Sequence, residues 1–107
     1  MNLIKQKIIS DIKNNLGSKI ERFYIFGSFL ENNWNQDQSD IDLICIDSSF
    51  ENFSYSVNLH YIKNILAKLP YKFDIFLYTW NQFYTKIDVN PRFSKEIKKA
   101  IMNGKNN

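Results

Sequence analysis

At 107 residues, with 44% hydrophobic and 23% charged, the chain can bury one real core, and its balance excludes both wholesale disorder and a membrane-embedded protein. No apolar run nears the roughly 20 residues that span a bilayer, and the N-terminus lacks a signal peptide's apolar core and cleavage site. A single domain over residues 1–107, located in the cytoplasm, is therefore the expectation. The formal charge of +3 is mild and scattered, which fits a solvated surface better than a nucleic-acid footprint. The lone Cys45 permits no internal disulfide, and its place in an apolar run suits a small buried side chain.

In residues 3–16, Ile4, Ile8, Ile12 and Leu16 recur every four positions, with Ile9 beside them and Lys5, Lys7 and Lys13 off the stripe. This predicts an amphipathic helix, stopped by a left-handed Gly17. Residues 22–26 are aromatic and β-branched and predict a short strand that runs directly into Gly27-Ser28, a turn or helix entry. Residues 29–39 are polar and Asn-rich and predict mostly loop. Residues 40–46 predict a second strand. Its faces are apolar beyond the aspartates, so it belongs at the centre of a sheet covered on both sides.

Asp47-Ser48-Ser49 ends that strand, and residues 50–55 carry no clear pattern. A helix is predicted over 56–69, with Leu59, Ile62, Leu66 and Leu69 near one face and Pro70 as its terminator. Residues 72–79 predict a third strand, covered on both faces except at Asp74. Thr79 can cap a helix to about Lys86, and Pro91 can start a last one reaching Met102, with Asn103-Gly104 as its stop. The tail should fray from about residue 104. This order specifies a small α/β (α+β) fold, a mixed central sheet of at least three strands flanked by helices.

The carboxylates carry the chemistry. Side chains alternate along a strand, so Asp40 and Asp42 point to the same side. Like charges on one strand face repel, and Asp is a poor strand former. A bare carboxylate buried in the third strand would cost several kcal/mol, so Asp74 must be ligated, paired or solvated in a cleft. If the two strands are neighbours, the three meet. An all-oxygen cluster selects a hard cation such as Mg²⁺, and two such ions about 3.5 to 4 Å apart serve phosphoryl or nucleotidyl displacement. Gly27 lets the backbone approach a phosphate, and the Ser28 hydroxyl can donate to its oxygens. His60 has no companion at metal-ligand spacing, and Trp34, Trp80, Phe83 and Tyr84 could form a base shelf or partner surface but fit core packing better for at least two of them.

Gly27-Ser28, the spacer, Ser39-Asp40-Ile41-Asp42-Leu43 and the later Asp74 together resemble the active-site signature of DNA polymerase β-like nucleotidyltransferases. The chain is similar in length and element order to the minimal nucleotidyltransferase (MNT) antitoxins, partners of HEPN-domain toxins. The resemblance covers 22–79 well and the ends only by general shape. It implies attack by an acceptor on the α-phosphate of a nucleoside triphosphate, with pyrophosphate released. Asp40 and Asp42 would bind Mg²⁺, two ions in all; Gly27 and Ser28 would hold triphosphate oxygens; Asp74 would complete the metal site or accept the acceptor's proton.

In that branch the nucleotide is ATP and AMP passes to a HEPN toxin, which implies a type VII-like toxin–antitoxin hetero-oligomer acting on a protein. One departure is that residues 29–39 contain no Lys, Arg or Gly, so phosphate contacts are expected from Arg22, Lys72 or the partner. The absence of a C-terminal acceptor-holding domain likewise assigns that surface to a partner. Two other readings stay open, a binding module that neutralises its partner by contact alone and a nucleic-acid-binding or RNA-modifying protein.

Overall fold

A computed structural model of the chain describes residues 1–102. Four α-helices, α1 (Leu3–Leu16), α2 (Tyr55–Leu66), α3 (Trp80–Val89) and α4 (Pro91–Lys99), surround four strands, β1 (Arg22–Phe26), β2 (Ile41–Ile46), β3 (Phe73–Tyr78) and β4 (Ile101–Met102). Two short 3-10 turns, Gly27–Leu30 and Ser48–Asn52, follow β1 and β2. The strand order is β3-β2-β1-β4. β1 is antiparallel to both β2 and β4, and β2 is parallel to β3. The mixed α/β fold expected from the sequence is the one observed.

Alternation along the strands sorts the core into two layers. Ile41, Leu43 and Cys45 of β2 pack with Ile8, Ile12 and Leu16 of α1 and Ile62 and Leu66 of α2. Ile44 and Ile46 face the other way, against Phe83 of α3 and the partly buried Phe93 and Ile97 of α4. Covering both faces is why β2 can be almost continuously apolar. Burying a side chain of this size is worth about 1.5–3 kcal/mol, so the α1 stripe alone anchors that helix firmly. The thiol of Cys45 is enclosed, and burial pushes its pKa well above the ordinary value.

Several expectations need correction. Gly17 caps α1 in the right-handed region, φ −61, its N–H donating to Lys13 O at 2.9 Å. The buried stripe of α1 also starts elsewhere, for Ile4 is 63% exposed whereas Lys5 is only 8% exposed. α2 begins at Tyr55, with Ser54 accepting from Val57 N, and ends at Leu66, four residues before Pro70. α3 continues past Lys86 to Val89 behind a reciprocal Thr79–Gln82 capping box. α4 stops at Lys99, so Met102 lies in a fourth strand that the helical pattern had absorbed. β3 is an edge strand among the described residues, and most of it is only half-buried. The predicted stop at Asn103-Gly104 and the frayed tail lie outside the described residues.

Candidate active site

The parallel pairing of β2 with β3 sets Asp42 directly opposite Asp74. Adjacent strands lie about 4.8 Å apart, and like charges placed opposite each other are unfavourable. Asp42 is half-buried and Asp74 exposed, so Asp74 is the solvated carboxylate of the pair. Burial holds the Asp42 carboxyl above the ordinary carboxylate range, and the charges of Asp74, Asp40 and Glu96 push it further the same way. Asp40 lies just before β2 and is exposed; its carbonyl accepts from Trp34 Nε1 at 3.1 Å. The register thus brings Asp42 and Asp74 together, with Asp40 two residues before Asp42, but among the described residues the three are not gathered into one group.

Gly27 faces Asp42 from the position just after β1, whose last residue Phe26 is Asp42's register partner. It has φ +71, and a Cβ on it would overlap the Asp42 carboxylate. Two requirements meet there. The backbone turns through the left-handed region, which is unfavourable by roughly 1–2 kcal/mol for other residues, and the missing side chain makes room for the carboxylate. The next residue, Ser28, is exposed at the start of the 3-10 turn, with its carbonyl accepting from Glu31 N at 2.9 Å.

That turn is held from behind by Lys5. Its ammonium donates to Phe29 O and, at 2.7 Å, to Glu31 O. It also lies 5.2 Å from the Phe29 ring centroid and 5.9 Å from that of Trp34, which meet edge to face. Such cation–ring contacts suit a desolvated lysine. The spacer is thus supplied with a cation from α1, applied to its backbone carbonyls.

The expected sources of phosphate contacts divide. Arg22 sits at the opposite end of β1, paired with Ile46, about 13 Å along the strand from Phe26 at roughly 3.3 Å per residue. Its guanidinium lies over Trp80 at 5.0 Å, so it is removed from the candidate site. Lys72 is exposed two residues before Asp74, and its Nζ donates to Asp37 O at 3.3 Å. A cation the sequence reading missed is Lys99, which lines a cavity with Gly27, Leu30, Glu31 and Glu96. Both Lys99 and Glu96 belong to α4, whose polar face carries no motif; only packing against the sheet reveals them.

The donor set suits a hard cation, being oxygen only. Among the described residues no group of three or more His, Cys, Asp or Glu side chains is assembled closely enough to hold a metal ion. Asp42 and Asp74, opposite each other on neighbouring strands, offer carboxylate oxygens of the kind such an ion takes. His60 is exposed on α2, Phe83 is buried, Trp34 and Trp80 are half-buried, and Tyr84 is exposed. Among the described residues no helix is long and apolar enough to cross a membrane.

No curated protein matches the chain. A family model described as "Nucleotidyltransferase domain" matches residues 5–105, a span containing every element from the first turn of α1 to β4. The chain belongs to the nucleotidyltransferase domain family of the polymerase β-like superfamily, which typically uses a nucleoside triphosphate and a divalent metal.

Proposed function

We propose that the protein transfers AMP from ATP to a hydroxyl of a protein acceptor, a HEPN-domain toxin, and so acts as its antitoxin. The observation that carries the catalytic part is the register of Asp42 against Asp74, with Gly27 shaped around the Asp42 carboxylate. Asp40, Asp42 and Asp74 are the groups that would hold Mg²⁺, which supplies positive charge to the attacking and leaving oxygens. Gly27 and Ser28 hold triphosphate oxygens, assisted by Lys99 and Lys72. The acceptor oxygen bonds to the α-phosphorus as the bond to the bridging oxygen breaks. Pyrophosphate leaves, and the hydroxyl proton passes to Asp74 or to solvent beside it. The choice of ATP and of a HEPN partner is supported by the likeness to the minimal antitoxins. A hetero-oligomer in the cytoplasm is part of the same proposal.

The test is transfer of α-phosphate label from ATP to the partner encoded beside this chain. Label should appear with Mg²⁺ and vanish with Asp40→Ala plus Asp42→Ala; transfer that survives the double substitution would defeat the assignment. A contact-only module is the second reading, favoured by the exposed Phe53 just before α2 and Tyr55, Val57 and Tyr61 along it. Undiminished protection of the partner by Asp42→Ala would select it.

A further inference from the structure

Two cavities open on the α3/α4 side of the sheet and meet at one residue. The first, about 320 Å³, is the one beside Gly27 and Lys99. The second, about 220 Å³, is lined by the half-buried rings of Phe26, Phe76, Tyr78 and Phe93. Those rings form two pairs, Phe26–Phe76 with centroids 6.0 Å apart and Tyr78–Phe93 at 5.9 Å. Lys86 also lines it, with its Nζ on the Tyr78 hydroxyl at 2.9 Å and 4.7 Å from the Phe93 centroid. Glu96 lines both cavities.

We propose that these cavities hold the nucleoside half of the substrate. The base lies among Phe26, Phe76, Tyr78 and Phe93, Glu96 accepts hydrogen bonds from ribose hydroxyls, and Lys99 meets phosphate beside Gly27. The inference rests on the nucleotidyl-transfer reading and adds a direction to it, away from Gly27 and along α4. Three chemical arguments converge. Aromatic walls take a base by stacking. A carboxylate only accepts, so it suits a sugar's hydroxyl donors and repels phosphate, which puts Glu96 between the two ends. The aromatic cavity is smaller than the roughly 300–1,000 Å³ of sites for drug-sized ligands, which suits a base alone. Glu96 lines the same cavity as Gly27, which abuts the Asp42 carboxylate, and this places the route next to the reacting end.

Calorimetric titration in Mg²⁺ with ATP, 2′-deoxyadenosine triphosphate and inorganic triphosphate tests this. Wild type should bind ATP about tenfold or more tighter than inorganic triphosphate, the scale expected of base stacking. Phe93→Leu, which keeps apolar bulk in the helix, should erase most of that gap and leave triphosphate binding intact. Glu96→Gln, at an exposed position, should narrow the preference for ATP over the deoxy compound. Equal affinity of wild type for ATP and triphosphate overturns the inference while leaving nucleotidyl transfer standing, as does a gap that survives both substitutions. Failure of wild type to bind either probe sinks both.

Discussion

The two faces of the sheet are built to different standards. Under α1 and α2, Ile8, Ile12, Leu16, Ile41, Leu43 and Ile62 are almost fully enclosed. Under α3 and α4, one helix has a single buried residue and the other none, and half-buried rings border a cavity. The dense face carries the stability, because aliphatic burial is where most of the favourable folding energy lies. The loose face carries the carboxylates, which repel one another and gain nothing for the fold. Segregation lets a small chain tolerate an unfavourable charge cluster, since the defect is confined to the layer that contributes least to holding the sheet together.

Substitutions on opposite faces should therefore separate activity from stability. The largest effect is expected for Asp42→Asn: nucleotidyl transfer, measured by label incorporation, falls at least about a thousandfold, equivalent to ~4 kcal/mol of lost transition-state stabilisation. The unfolding midpoint of the same variant should hold or rise, because like-charge repulsion is relieved; a drop of several degrees would break the contrast. On the dense face, Ile12→Ala should lower stability by about 2–5 kcal/mol in urea titrations, without altering nucleotide affinity below the transition.

Gly27→Ala should cost roughly 1–2 kcal/mol for the left-handed backbone alone. Because the added methyl displaces the Asp42 carboxylate, transfer should fall by more than that figure implies. Thr79→Ala removes one half of the capping box and should destabilise α3 by about 1 kcal/mol, a change to be read by hydrogen exchange in 80–89.

The smallest effect is in pH. The folded Asp42 pKa is raised, so its contribution to stability is fully present below the ordinary value of 3.8 and is lost as pH rises through the folded pKa. Asp11 acts oppositely: the hydrogen bond from Tyr71, then that from Lys7, lowers its pKa, so its contribution is lost on acidification. Subtracting the stability profile of Asp42→Asn from wild type isolates the first effect. The advantage of the variant should shrink as pH falls toward 4, and a constant difference would argue against charge as its cause.

What the sequence made legible follows the same division. Strong periodicity and sharp punctuation gave α1 and β1 their observed bounds, and Gly27-Ser28 with Asp40, Asp42 and Asp74 could be read because carboxylates in apolar strands are conspicuous. β4 was illegible because two residues, Ile101 and Met102, carry no period and follow a helix directly. Lys5 was read as a solvent-facing charge because a binary pattern cannot foresee that a distant loop offers it two carbonyls. Arg22 was assigned toward phosphate on charge alone, and only register shows it at the far end of β1. Glu96 and Lys99 lie on an exposed helical face, where polar residues carry no signal until the helix is docked.

The buried ammonium of Lys5 gives the N-terminal helix a second duty. Through it, the first turn of α1 serves as a strut for the Gly27–Leu30 turn, joined across 24 and 26 residues of chain by hydrogen bonds to Phe29 and Glu31. Lys5→Met removes this donor from both loop carbonyls, and an acyl group on the nitrogen removes the charge and leaves one N–H for the two. The loop would then loosen although no carboxylate had been touched. Alterations of the Lys5 side chain thus bear on the turn that begins at Gly27, beside Asp42, from the N-terminal helix.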